Sequence, residues 1–189
     1  MPTSITFVLK ERRLNISSIF KHLGLIDYSN IPTDYVYIGK LPNALSSPNR
    51  EIVNDIFIGK GLFIVRKEGR LASGKRNSIT QFEMPLAALS WVVESIETMF
   101  ERKPSLGGLA KDVQHTDKAF DGENIELRYG VSVAGEGIGG YTVTNFSRDC
   151  YILPGEAAQT FSFALSIWQD HAREMFKDII SRYQIGDFK

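Results

Sequence analysis

Two stretches of this chain run through the same succession: short apolar strands, a glycine- or lysine-rich turn, an apolar-Pro step and one long amphipathic helix. The first spans about Arg50 to Lys103 and contains Ile56-Phe57-Ile58, Leu62-Phe63-Ile64-Val65 and Ser78-Ile79-Thr80-Gln81-Phe82, with the step at Met84-Pro85. The second spans about Asn124 to Tyr183, with strands near Ile125–Val133, Tyr141–Asn145 and Asp149–Leu153 and the step at Leu153-Pro154. Each helix carries a Met-Phe pair, Met99-Phe100 and Met175-Phe176. An internal repeat sets the unit of architecture before any residue is given a role. Here that unit is a sheet followed by a helix.

Periodicity fills in the elements. Leu89, Val92, Val93, Ile96 and Phe100 recur at helical spacing behind Pro85, as do Phe161, Leu165, Trp168, Ala172, Met175 and Ile179 behind Pro154. Gly59 and Gly61 bracket Lys60 in a tight turn, and Lys67–Asn77 reads as a long polar hairpin connection. Ahead of the first repeat, the alternation from Thr3 to Leu9 predicts a strand, Asn15 caps a short helix through Leu23, and Tyr35–Ile38 predicts another strand. The resulting division is an N-terminal extension over 1–49, a first repeat over 50–103, a linker over 104–123, a second repeat over 124–183 and a tail over 184–189.

A chain of 189 residues, 43% of them hydrophobic, can bury one sizeable core. No apolar run approaches the ~18 residues of a membrane helix. The start Met1-Pro2-Thr3-Ser4 lacks a secretory layout, and the single Cys150 rules out an internal disulfide. An intracellular location (cytoplasm, nucleoid or nucleus) is the expectation, with no membrane partner.

Net charge is zero but unevenly spread. Residues 1–104 hold 14 Lys+Arg against 10 Asp+Glu, whereas residues 105–189 hold 8 against 12. Between 60 and 76, Lys60, Arg66, Lys67, Arg70, Lys75 and Arg76 face a single acid, Glu68. Cations drawn from two strands and their connection can converge on one phosphate backbone. The strand aromatics Phe57, Phe63 and Phe82, with Tyr35 and Tyr37 nearby, are candidates for base stacking. Phosphate neutralisation plus stacking is how single strands are bound with little sequence preference. Charges on an isolated hairpin can also serve only to block edge-to-edge pairing. The second repeat has few cations, so Arg128 and Arg148 are expected to contribute little.

No other constellation carries chemistry. Gly135–Gly140 leads into a strand, Tyr141–Thr144, so it reads as a hairpin rather than a phosphate loop opening onto a helix. His22, His115 and His171 lack partners at metal-ligand spacing. No catalytic residue, metal site or cofactor is assigned, and the expectation is a protein without enzymatic activity.

The stretch Arg50–Arg102 resembles the single-stranded-DNA-binding domain of the coactivator positive cofactor four. The shared features are the Gly59-Lys60 step, an apolar strand ending in Arg66, the basic hairpin through Lys75-Arg76, a strand around Ile79 and an amphipathic helix. Tyr151–Trp168 is similar to the end of the related Whirly proteins, which are tandem repeats of four strands and a helix. Ile58-Gly59-Lys60-Gly61-Leu62 matches their lysine-glycine motif in part. The resemblance implies an α+β fold of two four-stranded antiparallel sheets, each with one long helix, related by a pseudo-twofold axis. It also implies binding of single-stranded DNA, with RNA as the alternative ligand, in replication, recombination, repair or transcription. A four-stranded sheet with one helix per repeat leaves a face and its edge strands uncovered, so a homo-oligomer, at least a dimer, is expected. A protein–protein module of the same fold, docking an acidic partner, is the competing expectation.

Overall fold

The computed structural model describes residues 20–110, 113–133, 135–152 and 157–188. The predicted strand from Thr3 to Leu9, most of the predicted helix from Asn15 and the Leu153-Pro154 step lie outside the described residues.

Two four-stranded antiparallel meanders carry the chain. The first consists of β1 (Tyr35–Pro42), β2 (Arg50–Gly59), β3 (Leu62–Leu71) and β4 (Arg76–Pro85), in that order. The second consists of β5 (His115–Phe120), β6 (Glu123–Gly130), β7 (Gly140–Asp149) and β8 (Ala158–Ala164). Helix α1 (Ala88–Ser95) follows the first sheet and ends in a π turn, Ile96–Phe100. After the second sheet, α2 (Leu165–Ile167), a π turn (Trp168–Ala172) and α3 (Arg173–Gln184) follow without a break. The fold is α+β, as the repeat predicts. No helix among the described residues is long and apolar enough to cross a membrane.

Two tight hairpins have one backbone solution. Lys60 and Gly61 take φ of 53° and 72°, and Asp121 and Gly122 take 50° and 83°. Positive φ at both central residues matches the right-handed twist of the flanking strands, which explains glycine at the second place of each turn.

One core lies between the sheets and helices. The inner face of the first sheet gives Ile56, Ile58, Phe63, Val65, Phe82 and Met84, and the second sheet answers with Ile125, Leu127, Tyr141, Val143, Phe161 and Phe163. Val92 and Ile96 from the first helix and Trp168, Phe176 and Ile179 from the second close it. The helices α1 and α3 also pack on each other. The outer face of the first sheet has a smaller core of its own. Phe57, Leu62 and Ile64 are roofed there by Leu23, Ile26 and Ile31, so part of the N-terminal extension is a lid on the sheet.

Several boundaries differ from those read in the sequence. The fourth strand of the first sheet is β1, which the sequence division leaves in the extension. In the second sheet it is β5, which lies inside the expected linker. Residues 20–23 are not helical, and Phe20 forms an isolated bridge to Arg148. Of the predicted Asp149–Leu153 strand only Asp149 lies in a strand, the last residue of β7, and residues 158–164 form β8, with the second helix beginning at Leu165. Phe161 therefore points into the core from a strand, on the same face as Gln159 and Phe163 and in alternation with Thr160 and Ser162.

A buried polar cluster joins the sheets. Arg148 on β7 donates to both carboxylate oxygens of Glu123 at 2.6 Å and to Glu83 on β4 at 3.0 Å. Asn145 donates to Glu123 at 2.6 Å and to the Glu83 carbonyl at 2.9 Å. The Leu23 N–H and the Gln81 amide complete the shell of Glu83 at 2.9 and 2.8 Å. Two carboxylates share one guanidinium, and neutral donors supply the remaining stabilisation.

Candidate nucleic-acid interface

The alternation of β3 decides which basic side chains can act together. Arg66, Glu68 and Arg70 point to the outer face of the first sheet, whereas Val65 and Lys67 point to the inner one. The expected six-cation cluster is therefore divided.

On the outer face, Arg66 is buried rather than available to a phosphate. Its Nε donates to the Ile26 carbonyl at 3.0 Å, its Nη2 to Glu68 at 2.6 Å, and the Tyr28 ring lies 4.2 Å from the guanidinium carbon. Glu68 also accepts from Arg70 and pairs with Arg76 at 3.5 Å. Burial opposes the charge on Glu68, but bonds from Arg70 and Arg66 outweigh it and hold the carboxyl below its ordinary range. Glu68 raises the Arg70 pKa in turn. Arg70, Arg76 and Lys75 nevertheless keep exposed side chains on the β3–β4 hairpin. Lys60 is exposed in its turn, 3.9 Å from Asp34 and 5.5 Å from the Tyr35 ring centre. Lys67 is half-buried on the opposite face.

The phenylalanines are not stacking surfaces. Phe63 and Phe82 are in the central core, with Phe63 5.4 Å from Phe176 and Phe82 5.9 Å from Phe161 between ring centres. Phe57 does face outward, but it is fully buried under two tyrosines, with Tyr37 at 5.2 Å and Tyr28 at 6.1 Å. The exposed rings on this face are Tyr37, 45% exposed, and Tyr28, 41% exposed. Tyr35 is half-buried. The Tyr37 hydroxyl donates to Asp55 at 3.2 Å, which fixes the ring edge and leaves a face to solvent. Burial, then Asp55, raises the phenol pKa of both Tyr37 and Tyr28.

Tyr28 is the residue that sequence reasoning passes over. It lies in a segment with no periodicity, and its role depends on residues 20–34 folding back across the sheet. Between the tyrosines and the hairpin runs a cleft of about 310 Å³, lined by Tyr28, Lys40, Glu51, Val53, Asp55, Glu68 and Arg70. Asp55 and Glu68 are buried and hydrogen-bonded, so the lining charges that face solvent are Lys40 and Arg70 against Glu51, with Lys75 and Arg76 exposed on the adjoining β3–β4 hairpin.

In the second half, Arg148 is a buried tie between sheets, and Arg128 is exposed beside Glu126 at 3.4 Å. Among the described residues, no group of three histidines, cysteines or carboxylates is placed to hold a metal ion. Comparison with protein-family models and with curated protein sequences finds no match.

Proposed function

We propose that this protein binds single-stranded nucleic acid, DNA in preference to RNA, across the outer face of its first sheet. The observation that carries this reading is the presence on one sheet face of two exposed tyrosine rings, Tyr28 and Tyr37, with Lys40 and Arg70 lining the cleft beside Tyr28 and with Lys75 and Arg76 exposed on the adjoining hairpin. A base is flat and apolar on both sides, and its phosphate is charged. A surface offering rings beside cations meets both demands without reading base edges. Buried Phe57 supports both rings from below, which limits the side-chain entropy lost on stacking.

The two sheet-and-helix units in tandem are the arrangement that the Whirly resemblance implies, and we extend that to a pseudo-twofold relation between them. The edge strand β1, with Val36 40% exposed, supports association into a homo-oligomer. Binding without chemistry would serve replication, recombination, repair or transcription inside the cell.

The test is fluorescence polarisation with labelled oligothymidine, the matching duplex and the matching RNA, each titrated with salt. Preference for the single strand with a salt-dependent affinity supports the reading. Equal affinity for all three would turn it toward general polyanion attraction. No affinity for any of them would favour a protein partner.

A further inference from the structure

The two helices depart from α geometry where they meet. Ile96–Phe100 in the first and Trp168–Ala172 in the second are π turns, a rare form that recurs at functional sites. The Trp168 indole N–H, at the start of one π turn, donates at 2.8 Å to Oε1 of Glu101, the residue that closes the other. Beside this bond lies a cleft of about 810 Å³, lined by Phe100, Glu101, Tyr129, Tyr141, Leu165 and Gln169 among others. Pockets that hold small organic molecules span ~300–1,000 Å³ and combine apolar walls with a few polar groups.

Tyr141, 2% exposed, is the one buried residue of that lining. Phe100, Tyr129 and Trp168 hold its ring, at 5.9, 5.6 and 6.2 Å between centres. Its hydroxyl makes no hydrogen bond among the described residues. Buried tyrosine hydroxyls usually find a partner, because an unpaired one carries its desolvation cost. Burial, then the negative charge of Glu101, raises the phenol pKa, so the group stays protonated and can donate. Glu101 in turn has a second carboxylate oxygen without a partner among the described residues. One donor and one acceptor therefore stand unused beside aromatic walls.

We propose that this cleft binds a small aromatic molecule that carries a hydroxyl. The Tyr141 hydroxyl donates to the ligand oxygen, and the Glu101 carboxylate accepts from the ligand O–H. A hydroxyl is the smallest group that serves both, whereas an ether can accept but not donate and a hydrocarbon does neither. The flat body of the ligand lies against Phe100, Tyr129 and Leu165, where contact between rings favours an aromatic over an aliphatic one. No residue from the outer face of the first sheet lines the cleft, so the site does not depend on the nucleic-acid reading.

The experiment follows the fluorescence of 2-naphthol as the full chain is added at neutral pH, with 2-methoxynaphthalene and naphthalene titrated in parallel. Saturable binding of naphthol is expected, with each of the other two weaker by about tenfold, the worth of one hydrogen bond to a buried or charged partner. Tyr141→Phe should melt no lower than wild type, since it removes a hydroxyl that has no protein partner. Its affinity for naphthol should fall by about tenfold while naphthalene binds as before. Glu101→Gln is at an exposed position and can still accept from Trp168, so it gives a second reading should Tyr141→Phe fail to fold. It should weaken naphthol and leave methoxynaphthalene unchanged. The proposal is overturned if naphthol shows no saturable binding, or if naphthalene binds as tightly as naphthol. It is equally overturned if either folded variant binds naphthol as the wild type does.

Discussion

The Tyr28 ring lies over the guanidinium of Arg66, 4.2 Å from its central carbon, and both rest on the outer face of the first sheet. A cation buried beneath one face of a ring leaves the other face to solvent. Replacing Tyr28 therefore has two effects, loss of a stacking surface and partial uncovering of a buried charge. Replacing Tyr37 removes a stacking surface, the hydrogen bond to Asp55 and part of the cover over Phe57. Tyr37→Ala should lower affinity for oligothymidine by ~1–3 kcal/mol with little change in salt dependence. Its melting temperature should fall somewhat, because the Asp55 bond and part of the Phe57 cover are lost, so binding is read well below the melting transition. If affinity is unchanged, the tyrosine face is not where bases stack.

The salt dependence counts phosphates. With Arg66 buried and Lys67 on the other face, the outer surface offers Lys40, Arg70, Lys75 and Arg76. Each phosphate contact on a single strand contributes ~0.7 to the slope of log affinity against log salt, so three or four contacts give roughly −2 to −3. Lys75→Ala should reduce the slope by about one contact and weaken all sequences alike. Lys75 has no structural partner to lose among the described residues, so its substitution reports on binding alone. A wild-type slope near zero would remove the electrostatic basis of the proposed function.

Among the described residues β1 is an edge of its sheet with one side unpaired, and Val36 on it is exposed. Sedimentation at micromolar concentration should show a species of at least twice 21.2 kDa. Val36→Lys should shift it toward the monomer, because a charge on an edge blocks strand addition. A wild-type monomer at that concentration would remove the oligomer from the proposal.

What the sequence revealed follows burial. Strands β2 and β3 are apolar on both faces because each face is covered, and the helical stripes Val92–Ile96 and Trp168–Ile179 face a continuous core, so all of these were legible. Strand β5 was not, because His115–Phe120 is an edge strand with most of its side chains in solvent. Strand β8 reads as helix because Phe161, Leu165 and Trp168 fall at helical spacing, and only the pairing of Phe161 with Val143 sets its period to two. The candidate site was legible in part. A basic hairpin is a local feature, but whether Arg66 or Arg70 meets solvent depends on residues 20–34 covering one and not the other. No local pattern announces that fold-back.

Glu68 links binding surface and stability. Its folded pKa lies below the unfolded value of ~4.3 because Arg70 and Arg66 hydrogen-bond the charged form. A depressed folded pKa contributes stability that is fully present above the unfolded value and is lost as pH falls through the folded one. Glu68→Gln should therefore be less stable than wild type at neutral pH. That difference should shrink in melts below about pH 4. A difference that stays constant from neutral pH down to pH 3 would mean that the ion pairs of Glu68 add nothing beyond packing.

Arg148 is the corresponding test of the second half. It carries the one guanidinium between Glu83 and Glu123, and both carboxylates are buried. Arg148→Met keeps most of the volume but leaves two buried carboxylates without their cation. Removing one partner of a buried ion pair costs ~3–5 kcal/mol, far more than the pair contributes relative to apolar residues. Urea denaturation should show a loss of that order with an unchanged m-value. Arg128→Glu, on an exposed position of β6, should change stability by no more than ~0.5 kcal/mol. The triple change of Arg148→Met with Glu83→Gln and Glu123→Gln should recover much of the loss, because the neutral amides can still accept from Asn145, Gln81 and the Leu23 N–H. If the single variant is as stable as wild type, the two carboxylates are held protonated or solvated, and the cluster is not an ionic tie between the sheets.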